Sequence, residues 1–220
     1  MTLLEPDVAL TDFGLAIECA CMAAWLHWRA SANRPLRKWF VIFFAALGIG
    51  ALFGGITHGF LPDIQSTIYR VTWITTLLTI GITALSGWAI GARLLFSESI
   101  AKRVLILIGL SFAVYAVIVL FFSQSFAVAI VYYVPAAVFL LIAFVLTYLR
   151  RHRYYLVAGI AGLVLSFAAA AIQQTETGIV ALGLTHNALY HLVQAVALLL
   201  IFSAACGFSR EAACEHDATS

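Results

Sequence analysis

The sequence predicts an all-α polytopic integral membrane protein with seven transmembrane helices. Of its 220 residues, 64% are hydrophobic and 10% are charged, and the mean hydropathy is +1.04. A soluble domain carries roughly 25% charged residues, so this chain lacks the polar surface that water requires, and lipid is its main solvent. All Lys and Arg residues except Arg70 fall in three short segments and near the C-terminus, with long apolar stretches between them.

A transmembrane helix needs roughly 20 mainly apolar residues. The apolar stretches form one transmembrane domain over 1–208, followed by a polar cytoplasmic tail at 209–220. Thr11 is the predicted N-cap of the first helix, with Asp12 in its first turn. The predicted spans cover about 9–30, 37–60, 67–95, 101–123, 126–149, 153–174 and 185–208.

The basic segments predict the orientation, because positively charged loops stay on the cytoplasmic side. They follow spans 1, 3 and 5 and recur after span 7. The N-terminus is therefore expected outside and the C-terminus in the cytoplasm, in a multi-pass protein of the cell's inner (plasma) membrane. No basic run is dense enough to indicate nucleic-acid binding. Both lysines, Lys38 and Lys102, lie in loop segments, so no span offers the lysine that a retinal chromophore needs.

Polar residues that are unusual inside a membrane gather near the predicted outer end of five spans. Ionisable groups in spans are costly and tend to be functional. Their common depth predicts a cavity that opens outward. The alternative is a set of hydrogen bonds between helices near the water boundary. The residues are Asp12, Glu18, His58, Arg70, Gln173, Gln174, Glu176, His186, Asn187, Tyr190, His191 and Gln194.

Three of these residues, His58, His186 and His191, suggest a metal site. Imidazole is the commonest metal ligand, and three His with an open fourth position is a catalytic zinc arrangement. His186 and His191 are separated by about 140° on an ideal helix. They share one ion if His186 lies at the helix start, which Thr185 as N-cap would allow. The pairs that share a face are Asn187 with His191 and His186 with Tyr190.

Span 2 ends in Gly54-Gly55-Ile56-Thr57-His58, and span 7 begins with His186-Asn187-Ala188-Leu189-Tyr190-His191. With seven spans and these two motifs, the chain resembles the ceramidase and adiponectin-receptor-like superfamily of membrane hydrolases. The resemblance implies that His58, His186 and His191 bind Zn²⁺ and that a zinc-bound water attacks a lipid amide. In that family the span-7 His pair is four apart, a Ser occupies the position of Gly54, and span 3 carries an Asp that this chain lacks. Glu18 or Asp12 is the substitute expected for the missing carboxylate.

Three functions remain open on the sequence. The first is a metal-dependent hydrolase of a membrane-lipid amide or ester, with Zn²⁺ on the three His and Glu18 or Asp12 transferring protons. Its substrate-binding residues would be Asn187, Tyr190, Gln194 and Arg70. The second is a non-enzymatic receptor, sensor or accessory subunit that uses the same cavity. The third is a haem-binding redox subunit with His ligands from two helices. Arg70 is also a candidate partner for Asp12, Glu18 or lipid phosphate.

Overall fold

A computed structural model describes residues 3–29, 34–179 and 184–217. Within this part of the chain the prediction of an all-α protein is confirmed, because seven helices are long and apolar enough to cross a membrane. The helices are α1 (Pro6–Trp28), α2 (Arg34–Phe60), α3 (Thr67–Leu95), α4 (Glu98–Val117, continued by the π-helical turn Ile118–Phe122), α5 (Phe126–Arg151), α6 (Tyr154–Gln174) and α7 (His186–Asp217).

Two helix ends differ from the sequence-based expectation. The prediction that Thr11 caps α1 is wrong, since α1 begins at Pro6 and Glu5 occupies the N-cap position. Proline suits the first turn because its missing N–H is not needed there. Thr11 and Asp12 therefore lie in the second turn. Helix α7 continues past 208 as far as Asp217. Glu211, which lies on this extension, bonds to Arg153 and to the hydroxyl of Tyr155.

Six of the described helices form a closed ring, and one lies outside it. The pairs in contact are α1 with α2, α2 with α3, α3 with α5, α5 with α6, α6 with α7, and α7 with α1. Helix α4 packs mainly on α3, where the hydroxyl of Tyr115 donates to the carbonyl of Leu77 at 2.7 Å. Much of α4 is exposed and apolar, including Ile106, Leu107 and Leu110. This composition suits a helix that faces lipid.

The end of the bundle that carries Arg151 and Arg153 is called the basic end, and its interior is filled by aromatic side chains. Phe40 and Phe144 both pack on Phe208, with ring centroids 6.1 Å apart in each pair. Phe44 meets Phe202 edge to face at 5.9 Å. Aromatic pairs in these geometries add to ordinary packing energy. The ring of helices is therefore closed at this end.

Small residues bring the helices close enough for this packing. Lipid tails are as apolar as the side chains, so helices in a membrane associate through van der Waals contact rather than through a hydrophobic driving force. Gly159 of α6 lies against Phe144 of α5 and Ala204 of α7. Gly162 lies against the backbone of α7 at Ala197. These two glycines therefore set the spacing of three neighbouring helices.

Gly159→Ala tests this packing. The new Cβ would overlap a ring carbon of Phe144 and would lie 2.8 Å from the Cβ of Ala204. We expect a loss of about 1–3 kcal/mol, as for other overpacked cores, measured as a lower thermal unfolding midpoint in detergent. Gly109→Ala is the matched control, because Gly109 is also helical and has nothing within 4 Å. Equal midpoints for the two variants would contradict the packing argument.

Candidate ligand-binding cavity

Two glycines in α2 place a carboxylate of α1 inside the bundle. A Cβ on Gly54 would lie 3.0 Å from Oδ2 of Asp12, and one on Gly55 would lie 2.9 Å from the ring of Phe13. Without side chains at these positions, α1 can approach α2 closely. Asp12 is consequently buried, with 4% of its surface exposed.

Asp12 faces a histidine of α7. Nε2 of His191 lies 3.3 Å from Oδ1 of Asp12, and Nδ1 of His191 lies 3.1 Å from the hydroxyl of Thr11. The hydroxyl of Thr11 also donates to the carbonyls of Asp7 and Val8 at 2.8 and 2.9 Å, so its contact with Nδ1 depends on which ring nitrogen of His191 carries the proton. The ring is thus oriented by α1 on both of its nitrogens. Asp12 and His191 form a buried pair that links α1 to α7.

A second carboxylate–histidine pair lies nearer the surface. Nδ1 of His58 is 3.0 Å from Oε2 of Glu5, and the two side chains are 28% and 53% exposed. The backbone N–H of Leu4 donates to the carbonyl of Gly59, and that of Glu5 donates to the carbonyl of His58. Carbonyls at a helix C-terminus lack partners inside the helix, so the segment before α1 caps the end of α2.

The start of α7 is fixed by Thr185 and Asp7. The hydroxyl of Thr185 accepts from the N–H of Ala188 at 3.3 Å, so the prediction that Thr185 caps this helix is confirmed. Its own N–H and hydroxyl donate to Oδ2 of Asp7 at 3.0 and 2.8 Å. Helix α7 is therefore attached to α1 one helical turn before the contact between Asp12 and His191.

A half-enclosed cavity of about 310 Å³ opens among these helices, at the end of the bundle that carries His58 and His191, called here the histidine end. Along α2 it extends from His58 to Ala46, which is about 18 Å at 1.5 Å per residue. This depth is more than half of the roughly 30 Å hydrocarbon core of a bilayer. Its deep part is lined by aliphatic side chains such as Leu15, Leu47 and Leu198.

Three polar side chains face this cavity without a partner. Gln173, Asn187 and the hydroxyl of Tyr190 line it, and within the described residues none of them forms a side-chain hydrogen bond. Gln194 also lines it and donates to the hydroxyl of Ser166 at 3.2 Å. The histidine end of the cavity therefore has unused hydrogen-bonding groups.

A smaller cavity of about 110 Å³ continues the first between α5 and α6. Both cavities are lined by Thr83, Gln173, Tyr190 and Gln194. The remaining walls of the smaller cavity are largely apolar and include Ile130, Val134 and Phe167. Together the two spaces combine a polar end with an apolar side branch.

A family model matches the part of the chain that forms these helices. Residues 8–209 match the model of a family of unknown function (DUF6962). The chain belongs to this family. The matched range contains every residue that lines the two cavities. No curated protein and no solved structure matches the chain.

The structure brings together six of the sequence-predicted site residues of this DUF6962 protein. The cavity is lined by Asp12, His58, Asn187, Tyr190, His191 and Gln194. The predicted sharing of one helix face by Asn187 and His191 is therefore confirmed. One carboxylate–histidine contact, between Asp12 and His191, and an unpartnered amide lie within this group.

Three other predicted residues, His186, Glu18 and Arg70, line neither of the two cavities. Glu18 lies six residues after Asp12, about 240° around the helix axis, and its buried Oε1 has no described partner. Arg70 is exposed and forms no ion pair with a described residue. The close ionisable neighbour of Asp12 is His191 instead. Roles for these three residues stay predictions.

The proposed zinc site does not take shape among the described residues. No group of three or more His, Cys, Asp or Glu side chains is placed there so that it could hold a metal ion. His58 and His191 line one cavity, but each has a ring nitrogen close to a carboxylate. The residues as placed do not fit a three-histidine centre, and zinc binding stays a prediction.

One side of the cavity was not predicted from the sequence. Thr76, Thr79 and Thr83 of α3 line it. Their hydroxyls donate to carbonyls of their own helix at 3.1, 2.8 and 2.9 Å, which lets threonine be buried in a lipid-embedded bundle. The signal was their spacing of three and four residues, which places them on one helix face.

A double-mutant cycle tests the contact between Asp12 and His191. Removing one partner leaves the other buried and unpaired, so we expect Asp12→Ala and His191→Ala each to cost about 1–3 kcal/mol. Their combined effect should be less than additive by about 0.5–3 kcal/mol, measured by reversible unfolding in detergent. Asp12→Ala with His27→Ala is the control cycle, because His27 is exposed at the other end of α1. Additive effects in both cycles would contradict the contact.

Proposed function

We propose that this protein binds a small amphipathic molecule of the membrane in the cavity between its helices. The observation that carries the proposal is the polarity of the cavity, with unpartnered Gln173, Asn187 and Tyr190 at one end and aliphatic walls at the other. The polar group of the ligand would lie among the first set, and its hydrocarbon part would extend into the deep part and the side branch.

The unpartnered groups support a ligand because they are costly otherwise. Gln173, Asn187 and Tyr190 are half-buried, so their polar groups face the cavity rather than being sealed in the bundle. Polar groups inside membranes are usually paired or functional, and these three need water or a ligand as their partner. Two amides and a hydroxyl facing one space give a ligand several hydrogen bonds at once. Ligand sites commonly combine mainly apolar walls with a few such convergent polar groups.

The closed basic end favours binding over transport. Below the cavity the bundle is filled by Phe40, Phe44, Phe144 and Phe208, all of them buried. A ligand entering from the histidine end therefore meets a floor rather than a passage. This form suits a receptor, a sensor or an accessory subunit of a membrane complex.

Ala51→Phe tests the binding function by filling the cavity. Ala51 lines the cavity, so a phenyl ring there should displace the ligand. We expect the amount of co-purified lipid-like molecule in nanodiscs, measured by native mass spectrometry, to fall about tenfold, equivalent to a tenfold weaker affinity.

Leu52→Phe is the matched control for this variant. Leu52 is the next residue, is 42% exposed and does not line the cavity, so its variant should carry as much ligand as the unmodified protein. Equal loss in both variants would assign the effect to general disturbance of α2. No loss in either would remove the binding proposal.

A second candidate function, hydrolysis of a lipid amide or ester, is favoured by the placement of Asp12. Its Oδ2 lies beside Gly54 in the wall of the cavity. As a general base it would take a proton from a water molecule, whose oxygen would attack the substrate carbonyl. Asn187 or Tyr190 would donate to the oxygen that becomes negative. The tetrahedral intermediate would then collapse with cleavage of the C–N or C–O bond, and Asp12 would return its proton to the leaving amine or alcohol. His191 would hold the carboxylate in place, and no metal enters this scheme.

Turnover of cavity-bound lipid separates the two candidates. If hydrolysis occurs, Asp12→Asn should lower kcat by about 10²–10⁴ because an amide cannot act as the base. Glu18→Gln, which changes a carboxylate outside the cavity, should retain turnover. Lipid analysis of reconstituted protein gives the rates, and elemental analysis tests for zinc. Unchanged lipid pools would exclude hydrolysis and leave binding as the function. Stoichiometric zinc that is lost in His58→Ala would instead support the metal-dependent hydrolase.

A further inference from the structure

We infer that the ligand's polar group is a protonated amine rather than a carboxylate or a phosphate. This inference rests on the proposed binding function and names the class of molecule. It comes from the charges around the cavity, from the unused acceptor atoms of Asp12 and from the aromatic side chains beside them.

Within the described part of the chain, the carboxyl group in the cavity wall faces no permanent cation. Asp12 is the one carboxylate among the described lining residues, and neither cavity is lined by Lys or Arg. Arg70 lies outside on the exposed surface. An anionic group entering this space would approach Asp12 with no guanidinium or ammonium to offset the repulsion, and such repulsion is strong where the dielectric constant is low.

The carboxylate of Asp12 has room for another donor. Oδ1 faces His191, and Oδ2 lies against Gly54, where it accepts no hydrogen bond from a described residue. The side chain is 6% exposed, and Asp12 lines the cavity. An ionised carboxylate offers about four acceptor sites, whereas an ammonium group offers three donors and no acceptor.

Neighbouring groups complement an ammonium in the same way. The amide oxygens of Asn187 and Gln173 and the hydroxyl of Tyr190 can each accept one of its protons. The rings of Trp73 and Phe126 also line the cavity, and aromatic faces attract cations. At the mouth, Glu5 adds a second carboxylate beside His58. An amine therefore meets acceptors and ring faces from several helices.

Helix dipoles are the main opposing effect, since α1, α3, α5 and α7 all begin at this end and helix N-termini attract anions. Three of these four ends are capped by side chains, whereas α1 has no side-chain cap. Ser66 accepts from the N–H of Tyr69 in α3, and Ser125 accepts from that of Ala127 in α5. At α7 the side chain of Asp7 already occupies the position that an anion would take. These contacts reduce the attraction of an anion to three of the helix ends, while Asp12 lines the cavity itself.

Three amphiphiles with the same chain test the inference: dodecylamine, dodecanol and dodecanoate. Binding is measured to the full-length protein in nanodiscs of uncharged lipid, and the signal from Ala51→Phe is subtracted as the contribution of the bilayer. We expect dodecylamine to bind about tenfold more tightly than dodecanol, as a charge-assisted contact would give, and dodecanoate to bind most weakly.

Asp12→Asn should remove the preference for the amine over dodecanol. Asp63→Asn is the control, because Asp63 is an exposed carboxylate at the same end and outside the cavity. It should keep the preference. If Asp12→Asn fails to fold, the order of the three ligands on the unmodified protein decides alone.

The possible outcomes distinguish a failure of the amine inference from a failure of the proposed binding function. Equal binding of all three molecules, lost in Ala51→Phe, would overturn the amine inference and support the binding function. Tightest binding of dodecanoate would also overturn it. Absence of cavity-dependent binding by any of the three would count against both. A preference for the amine that persists in Asp12→Asn would show that another group recognises it.

Discussion

The close approach of α1 to α2 at Asp12 is the constraint on which the rest of the site depends. Gly54 and Gly55 have no side chains, so Asp12 can lie inside the bundle rather than in lipid. Once there, it needs a partner, because an isolated carboxylate in such a setting is costly. His191 supplies one from α7, and Asp7 attaches the start of the same helix. These contacts close the ring between its first and last members and leave the cavity beside them.

The basic end of the bundle is filled and the histidine end contains a cavity, because in a membrane the shapes of the side chains decide whether the space between helices is filled. In lipid no hydrophobic force draws helices together, so a space closes only where side chains fill it. At the basic end, large rings meet glycine and alanine, as Phe144 meets Gly159. At the histidine end, threonine faces amides, and Thr79 and Asn187 border a space that they do not fill. Polarity and incomplete packing therefore coincide at the histidine end.

The sequence predicts the depth of each residue well and its direction poorly. Hydropathy placed α3 at the observed bounds, and depth alone grouped Asp12, His58 and His191 at one end. Depth could not distinguish Asp12 from Glu18 as a cavity residue. The two are six residues apart, which turns the side chain to another face of the helix and moves it only about 9 Å along the helix axis. Loop charges likewise carry no information about helix order, so the position of α4 outside the ring was not predictable. The sequence did not mark Thr76, Thr79 and Thr83 as site residues, since an uncharged threonine can be buried in a span with its hydroxyl bonded to its own helix.

Helix α7 is unbroken from His186 to Asp217, and this continuity has a mechanical consequence. His191 at one end contacts the cavity, while Glu211 at the other bonds to Arg153 and Tyr155. The two positions are about 30 Å apart along one axis. An unbroken helix can transmit a change of tilt along its axis, so a ligand that moved α7 at His191 would also move Glu211. The last helix thus connects the cavity to the basic end of the bundle through one continuous backbone.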